Sequence, residues 1–178
     1  DASCLVGSEM CIRDSCKEQK KIDYEKIYQN RFKILKKAYR RFQKNDKYEK
    51  FLEENAFWLE DYCMYMAIKD AHEGKSWSEW EELLKKREKT ALEKVKEELE
   101  DEIGFYQFQQ YEFDRQWKKL HTYAKEQGIQ IIGDIPIYVA FDSADAWAAP
   151  ELFQFDEENN PIRVCLLYTS DAADEEDS

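Results

Sequence analysis

The sequence predicts an α/β chain that is mostly helical, and three observations carry that expectation. Between residues 23 and 126, apolar residues recur every three or four positions, the period of an amphipathic helix. Gly128 ends the last of these stretches, and the β-branched run Ile129 to Ile132 follows it at once, as a strand buried on both faces does. Helix, Gly and buried strand together make half of an α/β repeat. Finally, "ELFQFDEENNPIRV" reads as two short strands around a turn at Glu158 to Asn160, with Pro161 limiting pairing on one side.

Each helix has its own apolar pattern. From Asp23 to about Lys44, Tyr24, Ile27, Tyr28, Phe32, Leu35, Ala38, Tyr39 and Phe42 form one apolar face opposite Lys and Arg. Tyr48 to Ala71 is a second helix, and its centre "FWLEDYCMYMAIKD" is apolar on nearly all sides, as in a helix with several neighbours. A loop at Gly74 leads to a third, with Ser76 as N-cap, Glu79 at the capping-box position, and Trp77, Trp80 and Leu84 on one face. Thr90 to about Glu126 is a long helix with a weak point at Gly104, where helix propensity falls by about 1 kcal/mol relative to Ala. Beyond that point Phe105, Tyr106, Phe108, Phe113, Trp117 and Leu120 make an aromatic face, and Gly128 is expected in the left-handed position after the last turn.

Composition narrows the function classes. The chain has 178 residues, 43% hydrophobic and 15% aromatic, enough for one packed domain despite 37% charged residues. A net charge of -12 without a basic stripe gives little to hold a phosphate backbone, so no nucleic-acid partner is expected. No apolar run approaches the roughly 20 residues of a spanning helix, and no signal-peptide pattern opens the chain, so no membrane partner and a cytoplasmic location are expected. Cys4, Cys11, Cys16 and Cys165 lie at the two ends and only Cys63 inside the body, which is no disulfide framework. The cysteines lack paired spacing, and His72 and His121 stand alone on helical segments as surface residues. No metal and no cofactor are expected.

The two ends differ from everything between them. "CLVGSEMCIRDS" and "CLLYTSDAADE" show no periodicity and resemble translated sequencing-library adaptors, so residues 1–15 and 165–178 are set aside and residues 16–164 are taken as a segment of a longer protein.

Chemistry is expected in "IIGDIPIYVAFDSADAWA". In α/β sheets and barrels, functional groups gather at the carboxyl ends of parallel strands, where Asp134 falls if Ile129 to Ile132 is such a strand. Pro136 forces the chain to leave the sheet there. Spacing alone leaves Asp134 equally open to being a turn former that bonds its own backbone. Further on, Asp142 or Ser143 is placed to N-cap a short helix.

"GIQIIGDIPIYVAFDSADAWAAPELFQFDEENNPIRV" resembles the first catalytic-barrel motif of the 4-alpha-glucanotransferases, the amylomaltase or disproportionating-enzyme family (glycoside hydrolase family 77). Upstream, "WLEDYCMYMAIKD", "WSEWEELLKKR" and "FYQFQQYEFDRQWKKLHTYAKEQG" resemble the same family in the same order. Two departures are Ala149, where the family has Asn before the Pro, and Glu81, where it has Pro after the second Trp. The resemblance implies a partial (β/α)8 barrel fragment: helices, one barrel strand and a small hairpin. It also implies transfer of α-1,4-glucan segments to an acceptor sugar, with malto-oligosaccharides as partners. The chemistry is a retaining double displacement, whose nucleophile and acid/base come from later strands, so this segment alone is expected to be inactive. Asp134 matches a supporting carboxylate that pairs with an Arg beside the nucleophile, and Tyr138 and Asp142 are candidates for lining the glucan site. The alternative from a different class is a helical protein-interaction module with no catalytic activity.

Overall fold

The structure is a computed structural model and describes residues 24–133 and 139–156. Its helices are α1 (Tyr24–Tyr39), α2 (Asp46–Ala71), α3 (Glu82–Lys85), α4 (Lys89–Glu98), α5 (Glu100–Glu126) and α6 (Ala144–Ala148). Single 3-10 turns at Trp77–Glu79 and Pro150–Leu152 complete the described elements.

α2 is the central element, packed against α5, α4 and α6, because both of its faces are apolar as the sequence pattern requires. It starts at Asn45, whose side-chain oxygen accepts from the amides of Lys47 and Tyr48 at 3.1 Å each. Such a cap is worth about 1 kcal/mol. Along one flank, Tyr48, Phe51, Leu59 and Cys63 bury themselves against Tyr106 and Tyr111 of α5, with the Phe42 ring 4.9 Å from Phe108 and 5.1 Å from Tyr48. Burial pushes the Cys63 thiol up to about 12, so the one cysteine of the body is an inert core residue. Along the other flank, Met64, Tyr65 and Ile68 meet Trp77, Trp80, Leu84, Val95 and Trp147.

The long helix expected from Thr90 to Glu126 is divided at Leu99, not weakened at Gly104. Lys96 in the last turn of α4 and the run Glu100, Asp101, Glu102 in the first turn of α5 match the dipoles of two separate helices meeting there. Gly104 instead lets α1 approach: a Cβ at that position would overlap the Tyr39 hydroxyl. Ser76 precedes a 3-10 turn and makes no cap hydrogen bond, so the capping box does not form. Trp77, Trp80 and Leu84 nevertheless share the core as expected.

Gly128 closes α5 as the sequence predicts, at φ +74, with its amide bonded to Lys125 O at 3.0 Å and the Ile129 amide to Ala124 O at 2.9 Å. Glu73 (φ 56) and Arg87 (φ 55) adopt the same left-handed position after α2 and α3, where a side chain costs about 1–2 kcal/mol that Gly avoids.

The described chain is helix and coil, not the expected α/β. Among the described residues there is no strand: Ile129 to Gly133 is coil, and Ile132 is 93% exposed. A parallel strand takes its hydrogen bonds and its burial from neighbouring strands. No partner strand exists among the described residues, and the β-branched run pairs with none of them. The partial-barrel assignment for this chain falls with it. Of the expected hairpin, Phe155 is a single bridge position, and the turn and second strand lie outside the described residues.

Candidate functional site

The segment 139–149, immediately after the stretch that holds Asp134, is fastened to the helical layer by side chains far away in sequence. Ser143 provides the N-cap of α6, its hydroxyl accepting from the Ala146 amide at 3.2 Å, which leaves Asp142 free for another partner. Asp142 faces α2. The Tyr65 hydroxyl donates to its Oδ1 at 2.6 Å, and Lys69 Nζ pairs with its Oδ2. Tyr65 and Lys69 are one helical turn apart and therefore share a face.

The electrostatics follow from burial and partners. Burial raises the Asp142 pKa, but the hydrogen bonds from Lys69 and Tyr65, the Lys69 charge and the Trp77 backbone outweigh it, and the net shift is downward. Burial and then the Asp142 carboxylate push the Tyr65 phenol up, so it stays a donor. A half-exposed ion pair such as Lys69–Asp142 contributes at most about 1 kcal/mol, whereas a hydrogen bond from a buried hydroxyl to a charge contributes about 1.5–3 kcal/mol. The Tyr65 bond is therefore the stronger of the two ties.

Two indoles fix the backbone on either side. Trp77 Nε1 donates to Phe141 O and Trp147 Nε1 to Leu84 O, both at 2.9 Å. Trp147 is fully buried, with Trp80 and Tyr65 rings at 5.8 and 6.0 Å and the Arg87 guanidinium 4.3 Å from its ring centroid. Phe141 and Phe155 pack on Trp77 at 5.3 and 6.1 Å, which carries the tie on to the chain after α6.

Of the residues predicted from sequence, Asp134 and Tyr138 lie outside the described residues, and Asp142 sits at this junction with both carboxylate oxygens engaged. His121 is exposed beside Trp117. His72 is half-buried: Nδ1 lies 2.8 Å from Ile68 O and Nε2 3.0 Å from Glu81, the residue standing where the resembled family has Pro. Among the described residues no group of three or more metal-ligating side chains comes together. A cleft of about 430 Å³ between α1, α2, α4 and α5, lined by Tyr39, Lys96 and Gly104 among others, does not include Asp142. No helix of the described residues is long and apolar enough to cross a membrane.

Sequence reasoning missed Tyr65, Lys69, Arg87 and Trp147 as parts of this junction. The four-residue spacing of Tyr65 and Lys69 was a signal that the two act on one partner, but nothing local identified that partner as Asp142.

A family model described as 4-alpha-glucanotransferase, glycoside hydrolase 77, matches residues 7–161. The 4-alpha-glucanotransferase of Aquifex aeolicus is 46% identical over 141 residues, covering 79% of this chain and 29% of that protein. That of Thermus thermophilus is 44% identical over 152 residues, covering 82% of this chain and 30% of that protein. Among solved structures, the amylomaltase from Streptococcus agalactiae in complex with acarbose superposes with a TM-score of 0.74 at 37% identity, over 79% of this chain and 29% of that one. The chain belongs to the 4-alpha-glucanotransferase family, glycoside hydrolase 77. It spans under a third of the length of the curated relatives it matches.

Proposed function

We propose that this chain is part of an enzyme that transfers α-1,4-glucan segments between malto-oligosaccharides by a retaining double displacement. The observation that carries the reading is family membership along nearly the whole described chain, with relatives at 41–46% identity sharing one name and a structural neighbour bound to acarbose. Residues 16–164 are taken as the working segment, although the family match reaches back to residue 7. The site of action we assign to it is the cytoplasm. The helical-module alternative has only helix content in its favour.

In this reading a carboxylate attacks the anomeric carbon, a carboxylic acid protonates the leaving oxygen, and a second sugar hydroxyl takes the glycosyl unit from the covalent intermediate. Both groups belong to parts of the protein beyond this segment. Asp134 supplies a fixed negative charge that pairs with an Arg beside the nucleophile, holding it ionised and in place. Tyr138 lines the glucan path.

The test is Asp134→Asn in a full-length 4-alpha-glucanotransferase carrying residues 16–164 in place of its own segment. The expected result is a fall in kcat of about a hundredfold for maltotriose disproportionation, since misplacing a reacting group costs on that order. A rate near that of the unchanged enzyme refutes the role.

A further inference from the structure

We infer that Asp142 is a positioning residue for glucan transfer: held by Tyr65 and Lys69 of α2, it locks segment 139–149 onto the helical layer and acts through that placement, not by touching the glucan. The inference rests on the proposed function, glucan transfer by the enzyme of which this chain is part.

Three features of the junction support it. First, both carboxylate oxygens are spent on protein partners, one on a hydroxyl whose residue is only 3% exposed and one on an ammonium group. A glucan hydroxyl at Asp142 would have to share an oxygen with one of them. Second, the ties are long-range and converge: Tyr65 to Asp142, Trp77 to Phe141 O and Trp147 to Leu84 O connect positions 77, 64 and 63 apart in sequence. Third, the coil that precedes the segment has no sheet partner among the described residues, and Ile129, Ile131, Ile132 and Val139 are exposed. Among the described residues, segment 139–149 is fixed through Phe141, Asp142 and Trp147.

A positioning group and a glucan ligand separate in kinetics. A lost substrate contact that is equal in ground and transition states raises KM, whereas lost positioning of the chain around the reacting groups lowers kcat. Tyr65 is the discriminating site, because its buried hydroxyl has Asp142 as its partner.

The experiment has two arms. In the 178-residue chain, amide hydrogen exchange is compared for the unchanged protein, Tyr65→Phe, Lys69→Met and Lys69→Arg. Exchange in 139–149 is expected to rise at least about tenfold in the first two variants and to recover in Lys69→Arg, with α5 unchanged. No change in 139–149, or an equal rise through α5, overturns the inference. In the full-length enzyme carrying this segment, Tyr65→Phe and Asp142→Asn are expected to lower kcat by about tenfold or more with KM within about twofold. An effect confined to KM in Asp142→Asn, with Tyr65→Phe unaffected, overturns it and makes Asp142 a glucan ligand. If the unchanged enzyme transfers no glucan, the proposed function fails, and the exchange arm alone decides whether the lock exists.

Discussion

The Arg87 guanidinium stacks 4.3 Å from the centroid of the buried Trp147 ring while its Nη2 pairs with Asp61 Oδ1 at 2.5 Å. Arg87 does this from a left-handed backbone position, φ 55, which only Gly occupies without strain. At Arg87 the stacking and the ion pair act against that strain. Arg87→Ala is expected to lose the stacking and the ion pair and to keep the strain, lowering unfolding stability by about 2–4 kcal/mol. Arg87→Gly removes the strain as well and should recover about 1 kcal/mol of that loss. Urea denaturation of the three proteins measures both steps, and equal stabilities for Ala and Gly contradict the account.

Trp147 is the largest single investment in the junction. Trp147→Phe removes the indole donor from the Leu84 carbonyl, which keeps only the Arg87 amide at 3.2 Å, and opens a cavity beside Trp80; about 2–4 kcal/mol of stability should go with them. The near-ultraviolet circular dichroism of the aromatic cluster should weaken in the same variant while the far-ultraviolet helix signal persists.

Gly104 and Tyr39 should behave as a coupled pair. Gly104→Ala gains about 1 kcal/mol of helix propensity but forces a methyl group onto the Tyr39 hydroxyl, and Tyr39 cannot swing away because it packs on Phe105 and Phe108 at 5.7 and 5.6 Å. A net loss of about 1 kcal/mol is expected. In a Tyr39→Phe background the overlap is gone, and the same substitution should stabilise. Thermal melts of the four proteins form the double-mutant cycle; additive effects would sink this reading.

The Asp142 tie has a defined pH dependence. Its carboxyl is shifted below the ordinary value of 3.8, so its contribution is complete above that value and is lost as pH falls through the lowered one. The stability difference between the unchanged protein and Asp142→Asn should therefore be constant near neutrality and shrink only in strong acid. A difference that instead grows as pH falls would show the opposite shift.

Much of this fold could be read from the sequence, and the failures have physical causes. The apolar faces of α1, α2 and α5 follow from three- and four-residue spacing, and Gly128 was legible because a left-handed helix end favours Gly. The division at Leu99 was also written in the sequence, as a Lys before and three acids after, yet a propensity argument pointed to Gly104, whose role is contact with Tyr39. The strand at Ile129 to Ile132 failed because β-structure is a property of paired segments, and β-branched residues describe only one side of the pair. At the site, Ser143 as a cap was legible locally. Asp142's partners were not, because Tyr65 and Lys69 lie more than seventy positions away and meet it only through folding.

The central claim is that this segment serves glucan transfer. It is tested most directly by incubating a full-length 4-alpha-glucanotransferase carrying residues 16–164 with maltotriose and following both chain lengths and reducing ends. Transfer conserves the number of glycosidic bonds, so glucose and longer malto-oligosaccharides should appear while total reducing ends stay constant. Unchanged maltotriose, or reducing ends that rise as hydrolysis requires, would contradict it.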